Sequence, residues 1–261
     1  VQAHLQYLQA GANCLITASY QASELSFSGA GIGKDGSQGL ILKSVELAQS
    51  AINEYMTNSD ANQIRPFVAA SVGPYGASLA DGSEYHGNYR VTDGTLVSFH
   101  RDKLLLLDGS DADVLACETL PSFQEAKILK QLLASLVTPA WVSFSCKDSS
   151  HLNDGTTIEE AAMLFAGHDT VVAVGVNCTG PQFICGLIKR IKPVVPGKAI
   201  IVYPNSGETF DPDNKTWHGT SSPVECGSAA KQWIKTGATI VGGCCRMGPE
   251  HIRVMKENCD L

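Results

Sequence analysis

Three cysteines have the type and placement to ligate a metal. Cys178 follows the apolar run 171–176, and the vicinal pair Cys244-Cys245 follows the run 239–243. Runs that are continuously apolar rather than alternating read as strands buried on both faces of a parallel sheet. All three thiols are thereby predicted at C-terminal strand ends, on one face of one sheet. Three thiolates leave the fourth position of a tetrahedral ion open, the pattern of a catalytic rather than a closed structural site. Thiolate sulfur is soft and favours zinc over magnesium or calcium. Two other readings stay open here: buried apolar cysteines, or a strained bridge within Cys244-Cys245. Gly242 and Gly243, just before the pair, leave the backbone free to approach closely and to take unusual dihedrals.

The chain holds nine cysteines, an odd number at irregular spacing, so a disulfide framework is a poor reading. Cys14, Cys117, Cys146 and Cys185 fall in or near apolar segments and read as core, while Cys226 and Cys259 read as surface or helix residues. The seven histidines are scattered without metal-ligand spacing.

The elements that must position these residues repeat from end to end. Apolar runs at 14–19, 67–72, 114–117, 140–146, 171–176, 199–203 and 239–243 alternate with helical stretches at 38–55, 92–107, 123–136, 158–165 and 224–236. Pro121-Ser122 and Ser222-Pro223 supply helix starts, and Gly109 and Gly237 follow helix ends. No low-complexity linker interrupts the series, so residues 1–261 read as one domain. Strand–helix alternation of this length predicts an α/β fold, either a (β/α)8 barrel or an open doubly wound sheet. The long loops follow the strands, at 20–36, 73–90, 147–157 and 204–222, which is where both folds place their sites. Seven strands are visible rather than eight. The chain opens on His4-Leu5-Gln6-Tyr7-Leu8-Gln9, which reads as the end of a helix feeding a strand, and it lacks an initiator Met. The expectation is a barrel whose first strand is missing from this chain.

Composition excludes some partners. Formal charge is −7 with no Lys/Arg cluster, so no nucleic-acid face is expected. No apolar run approaches the roughly 18 residues that span a bilayer, and the N-terminus has neither a basic nor an apolar leader segment. A cytoplasmic monomer acting on small molecules is expected.

Gly175-Val176-Asn177-Cys178 and Gly242-Gly243-Cys244-Cys245-Arg246 resemble the two zinc motifs of the homocysteine S-methyltransferases. Thr17-Ala18-Ser19-Tyr20-Gln21-Ala22, Ser71-Val72-Gly73-Pro74-Tyr75-Gly76, Leu79-Ala80-Asp81-Gly82-Ser83-Glu84-Tyr85, Cys117-Glu118-Thr119-Leu120-Pro121 and Tyr203-Pro204-Asn205-Ser206-Gly207-Glu208 resemble that family in the same order. The resemblance implies a TIM-type barrel and a Zn2+ site on Cys178, Cys244 and Cys245. It further implies methyl transfer from S-methylmethionine, or S-adenosylmethionine, to homocysteine, giving methionine. It implies that Glu118 receives the substrate ammonium. One departure is expected to matter. The family's first strand ends in an Asp-Gly-Gly segment that helps hold the amino acid, and nothing in this chain matches it.

Further candidates follow from position. Asn177, beside a ligand, is expected to orient substrate or fix its loop, and Ser19 and Tyr20 lie at another strand end within reach of homocysteine. Tyr75, Tyr203 and Trp217 have rings that either stack on a sulfonium or pack. Asp81 and Glu84 have the charge to attract that cation, but read better as solvated loop acids. Gly31-Ile32-Gly33-Lys34-Asp35-Gly36 fits the dinucleotide fingerprint by letters. It follows its strand by about a dozen residues, where the chemistry requires a direct strand-to-helix turn, so it reads as a flexible loop. An NAD(P)-dependent Rossmann oxidoreductase is the rival enzyme reading, and a zinc-binding fragment without catalysis is the non-enzyme one.

Overall fold

Seven parallel strands lie side by side in sequence order. They are β1 Cys14–Ile16, β2 Phe67–Val72, β3 Val114–Leu120, β4 Ala140–Phe144, β5 Val171–Asn177, β6 Ala199–Tyr203 and, after the antiparallel hairpin β7 Thr209–Asp211 and β8 Thr216–His218, β9 Ile240–Val241. The computed structural model describes residues 1–60, 63–211, 216–218 and 222–259. The sheet curls as a barrel wall does, and β1 and β9 form its two edges. Among the described residues, ten α-helices connect or flank the strands: α1 Gln2–Gln9, α2 Glu24–Gly29, α3 Lys34–Thr57, α4 Tyr75–Leu79, α5 Asp93–Asp108, α6 Phe123–Leu133, α7 Ile158–Met163, α8 Ile184–Val194, α9 Pro223–Thr236 and α10 Pro249–Cys259. Among the described residues no helix is long and apolar enough to cross a membrane.

Residues on the two faces of the sheet differ in size, as a tapering barrel requires. The inner face is narrow and carries Ala69, Ala116 and Ala173 with Val114, Trp141, Ile201 and Tyr203. Towards the helices, Val68, Leu115, Val142, Val174 and Val202 pack against Leu104, Leu129, Ile188 and Trp233. Every residue of β3 and β4 is buried, which is why these strands read as apolar runs. Ser122 and Ser222 cap α6 and α9 as their spacing predicts, and Gly237 ends α9 at φ +127°.

The boundaries differ where polar residues or turns intervene. β3 runs on to Leu120 through Glu118 and Thr119, past the end of its apolar run. β1 is shorter than its run because the chain turns at 18–20, after Thr17 makes a last bond to β2 through its N–H and the Ala69 carbonyl. The glycine-rich segment at 31–36 is not a free loop throughout: Gly33 caps α3, which starts at Lys34. It joins α2 to α3 rather than a strand to a helix, so the dinucleotide turn is not built. Cys226 is buried on α9 rather than on the surface, whereas Cys117 and Cys146 sit in the core as expected.

Candidate metal centre and active site

The end of β5 brings the first cysteine to the mouth of the curled sheet. Gly175 must be glycine, because a Cβ there would lie 1.7 Å from the Ile201 carbonyl oxygen. Three residues later the chain turns: Cys178 adopts φ +47° while its N–H donates to the Tyr203 carbonyl at 3.2 Å. On the far side of β6, the Gly242 N–H donates to Val202 and the Cys244 N–H to Pro204, at 3.0 and 2.9 Å. The vicinal pair is therefore an extension of the β6–β9 ladder. A Cβ on Gly243 would lie 2.7 Å from the Met247 Cβ, so close approach is what this position demands. The unusual dihedrals expected at Gly242 and Gly243 fall instead on Cys178 and on Arg246, at φ +67°.

The sulfurs converge. Cys178 Sγ lies 3.5 Å from Cys245 Sγ, Cys244 Sγ lies 4.0 Å from Cys245 Sγ, and all three fall within 4.8 Å of one another. Tetrahedral ligation at a Zn–S distance of 2.3 Å requires sulfurs about 3.8 Å apart, so the donor set fits a thiophilic ion. No other group of three His, Cys, Asp or Glu residues is close enough to do so among the described residues. Cys244 and Cys245 are in the thiol form, so no bridge joins the vicinal pair. Contacts from Cys178 and Cys244 hold Cys245 well below the ordinary thiol range. Cys244 is held far above it by its contacts with Cys178 and Cys245 and by burial. Three negative charges this close repel, which is what drives these shifts apart. A divalent cation would offset that repulsion.

Glu118 stands beside the cluster, 6% exposed, and accepts a hydrogen bond from Ser71 Oγ. Burial raises its pKa above the usual carboxylate range, against the pull of Ser71, Tyr203 and Lys103, and the charge on Cys245 adds to the rise. Lys103, buried on α5, donates from Nζ to the Ser19 carbonyl at 2.7 Å. Desolvation lowers its pKa to about 7 although Glu118 acts to raise it. Tyr20 is buried beside Thr119 and lies within electrostatic reach of Cys178, Glu118 and Glu84; burial raises its pKa.

The structure therefore brings together Cys178, Cys244, Cys245, Glu118 and Tyr20. Ser19 lies beneath them, fully buried, with its hydroxyl donating to the Ser71 carbonyl at 2.9 Å and paired with Thr17 Oγ1. Asn177 is also fully buried and points its amide at Thr119 and Ser143. Tyr203 is floor rather than wall, its hydroxyl bonded to Trp141 Nε1 and Ser143 Oγ. Tyr75 packs edge-on against Tyr89 and Phe99 and lines a separate cleft of about 420 Å³ among α2, α3 and α5. The side chain of Trp217 lies outside the described residues. Asp81 is exposed and accepts from the Ser83 N–H at 2.9 Å, as a loop acid does. Glu84 is not such an acid: its Oε2 is buried without a hydrogen-bond partner, and its charge is felt at Tyr20 and coupled to Cys245. Ser71, Ser143, Thr119 and Lys103 are parts of the site that position in sequence did not single out. For the two serines the signal was a lone hydroxyl near the C-terminal end of an apolar strand.

Comparison with known proteins accords with this arrangement. The family model described as homocysteine S-methyltransferase matches residues 1–259. Homocysteine S-methyltransferase YbgG of Bacillus subtilis is 45% identical over 97% of this chain and 81% of its own length. A selenocysteine methyltransferase of Astragalus bisulcatus is 43% identical, over 97% of this chain and 80% of its own. The crystal structure of the Escherichia coli homocysteine methyltransferase MmuM in its metallated form superposes with a TM-score of 0.86 at 40% identity, covering 98% of this chain and 83% of that one. With the match spanning nearly every residue that builds the cysteine cluster and its surroundings, the chain belongs to the homocysteine S-methyltransferase family.

Proposed function

We propose that this chain transfers a methyl group from a sulfonium donor, S-methylmethionine or S-adenosylmethionine, to homocysteine, with zinc held by Cys178, Cys244 and Cys245. The observation that carries the reading is three sulfurs at tetrahedral spacing beside a buried carboxylate. Bound there, zinc supplies a Lewis acid that keeps the homocysteine sulfur deprotonated at neutral pH, where a free thiol of pKa about 8.5 is mostly protonated. Glu118 takes the substrate ammonium and so aims the sulfur at the open side of the cluster. Tyr20, beside Thr119, walls the acceptor from the β1 side, and Ser19 acts through the backbone that Lys103 holds. In the transfer the donor's S–CH3 bond breaks as the new S–CH3 bond forms. The donor departs as a neutral thioether, so no general acid is required. With S-methylmethionine, both products are methionine.

The test is methionine formation from homocysteine by the metal-replete chain with each donor in turn. Failure with both refutes the reading.

A cationic donor also gives Glu84 a task. Its buried, unpartnered oxygen beside Cys245 supplies negative charge where a sulfonium must pass. Glu84→Gln is expected to raise the KM for the sulfonium about 5- to 30-fold, the equivalent of about 1–2 kcal/mol, and to leave the KM for homocysteine unchanged. The control is the uncharged carbon isostere of S-methylmethionine, 2-amino-5-methylhexanoate. It should inhibit both forms equally; an equal loss for isostere and sulfonium would exclude a charge effect.

A further inference from the structure

Strand β3 carries one more residue than its neighbour needs. Cys117 pairs with Val142 and Leu120 with Phe144, so Glu118 and Thr119 together face the single residue Ser143. This is a β-bulge. It changes which way the side chains point. Ala116 faces the inner core and Cys117 the helices, so Glu118 returns to the inner face by ordinary alternation. Thr119 should then face the helices; instead it too meets the inner face, and Leu120 resumes the helix side.

Thr119 adopts φ +61°, a conformation in which a β-branched residue is a genuine outlier. Something must hold it there, and the contacts name the residue. The Thr119 N–H donates to Asn177 Oδ1 at 2.7 Å, and Asn177 Nδ2 donates back to Thr119 Oγ1 at 2.6 Å. Ser143 Oγ donates to the same Oδ1 at 2.8 Å, fixing the amide from the strand between. Asn177 thus satisfies both polar groups that the bulge displaces, and its Nδ2 also lies 4.0 Å from Cys244 Sγ, so the clamp ties the bulge to the edge of the cysteine cluster. The geometry points to Asn177 as a positioning residue that holds the β3 bulge, so that Glu118 and Thr119 face the mouth together at a fixed distance from Cys178. The consequence for homocysteine rests on the activity proposed above; the clamp itself does not.

Two measurements on the full metal-loaded chain test this. In Asn177→Ala, the Thr119 amide, followed by hydrogen-exchange mass spectrometry on the peptide that contains it, should exchange faster while β6 and α9 keep their protection. The KM for homocysteine should rise about 10- to 100-fold, with kcat changed much less. The second measurement is a rescue. Glycine adopts φ +61° without strain, so Thr119→Gly placed in the Asn177→Ala background should recover the part of that loss that comes from the bulge, bringing the KM at least several-fold back towards wild type. A double variant as impaired as Asn177→Ala would mean that Asn177 touches the substrate, and would overturn the proposal. Unaltered Thr119 exchange in Asn177→Ala would overturn it without reference to catalysis. A wild-type chain that transfers no methyl group to homocysteine would defeat the functional reading and leave the exchange test standing.

Discussion

Replacing Cys178 or Cys245 with serine is expected to abolish both metal binding and methyl transfer. Each sulfur occupies one of three positions at tetrahedral spacing, and no fourth protein thiol is near enough to substitute among the described residues. A serine hydroxyl is a poor, protonated ligand for a thiophilic ion, so two remaining thiols cannot hold it with the same affinity. Elemental analysis should find about one zinc per chain in reduced wild type and essentially none in either variant. Methionine formation should fall by about 10³-fold or more, since the metal's share of transition-state stabilisation is several kcal/mol. Chelation of the wild type should give the same loss, reversed by added zinc. The overall fold should survive, because all three cysteines are half-buried at the mouth rather than packed in the core. A serine variant that keeps both its zinc and its activity would remove the cluster from the mechanism.

That cluster was legible because each of its members ends an apolar run, and strand direction alone then places them on one face. The fold was legible for a related reason: strands buried on both faces show as continuous apolar stretches, and seven of these became the seven strands. The same signal fails where polarity and structure part company. β3 continues through Glu118 and Thr119, which are polar because they face the site, so its run ends early at Cys117. The bulge at Thr119 is invisible locally, since a threonine has no propensity for φ +61°; the clamp that imposes it comes from Asn177, two strands away. Glu84 read as a loop acid because its neighbours are polar, whereas the burial of its Oε2 depends on tertiary contacts that local polarity does not report. The glycines at 31–36 read as a flexible loop, and only the fold shows a short connection between α2 and α3 with Gly33 capping the second helix.

Glu118→Gln should separate function from stability. In the proposed reaction Glu118 pairs with the substrate ammonium, and glutamine keeps the size and the Ser71 contact while deleting the charge. A buried charge-assisted contact that loses one partner's charge costs about 2–4 kcal/mol, so kcat/KM for homocysteine should fall about 30- to 1000-fold. Metal content should not change, because Glu118 is not a ligand. Stability should move the other way. Burial raises the Glu118 pKa, so the fold favours its protonated form: the side chain is no burden below its unfolded-state pKa and an increasing one as pH rises through the folded value. Glutamine does not titrate. The variant should therefore unfold at a higher temperature than wild type at neutral pH, and the difference should shrink as the pH is lowered into the carboxylate range. Wild-type kcat/KM should show an acid limb, falling as Glu118 protonates, and the residual activity of the variant should lack that limb. A glutamine variant that binds homocysteine normally, or one that is less stable at neutral pH than in acid relative to wild type, would show that the buried carboxylate is held for some purpose other than receiving the ammonium.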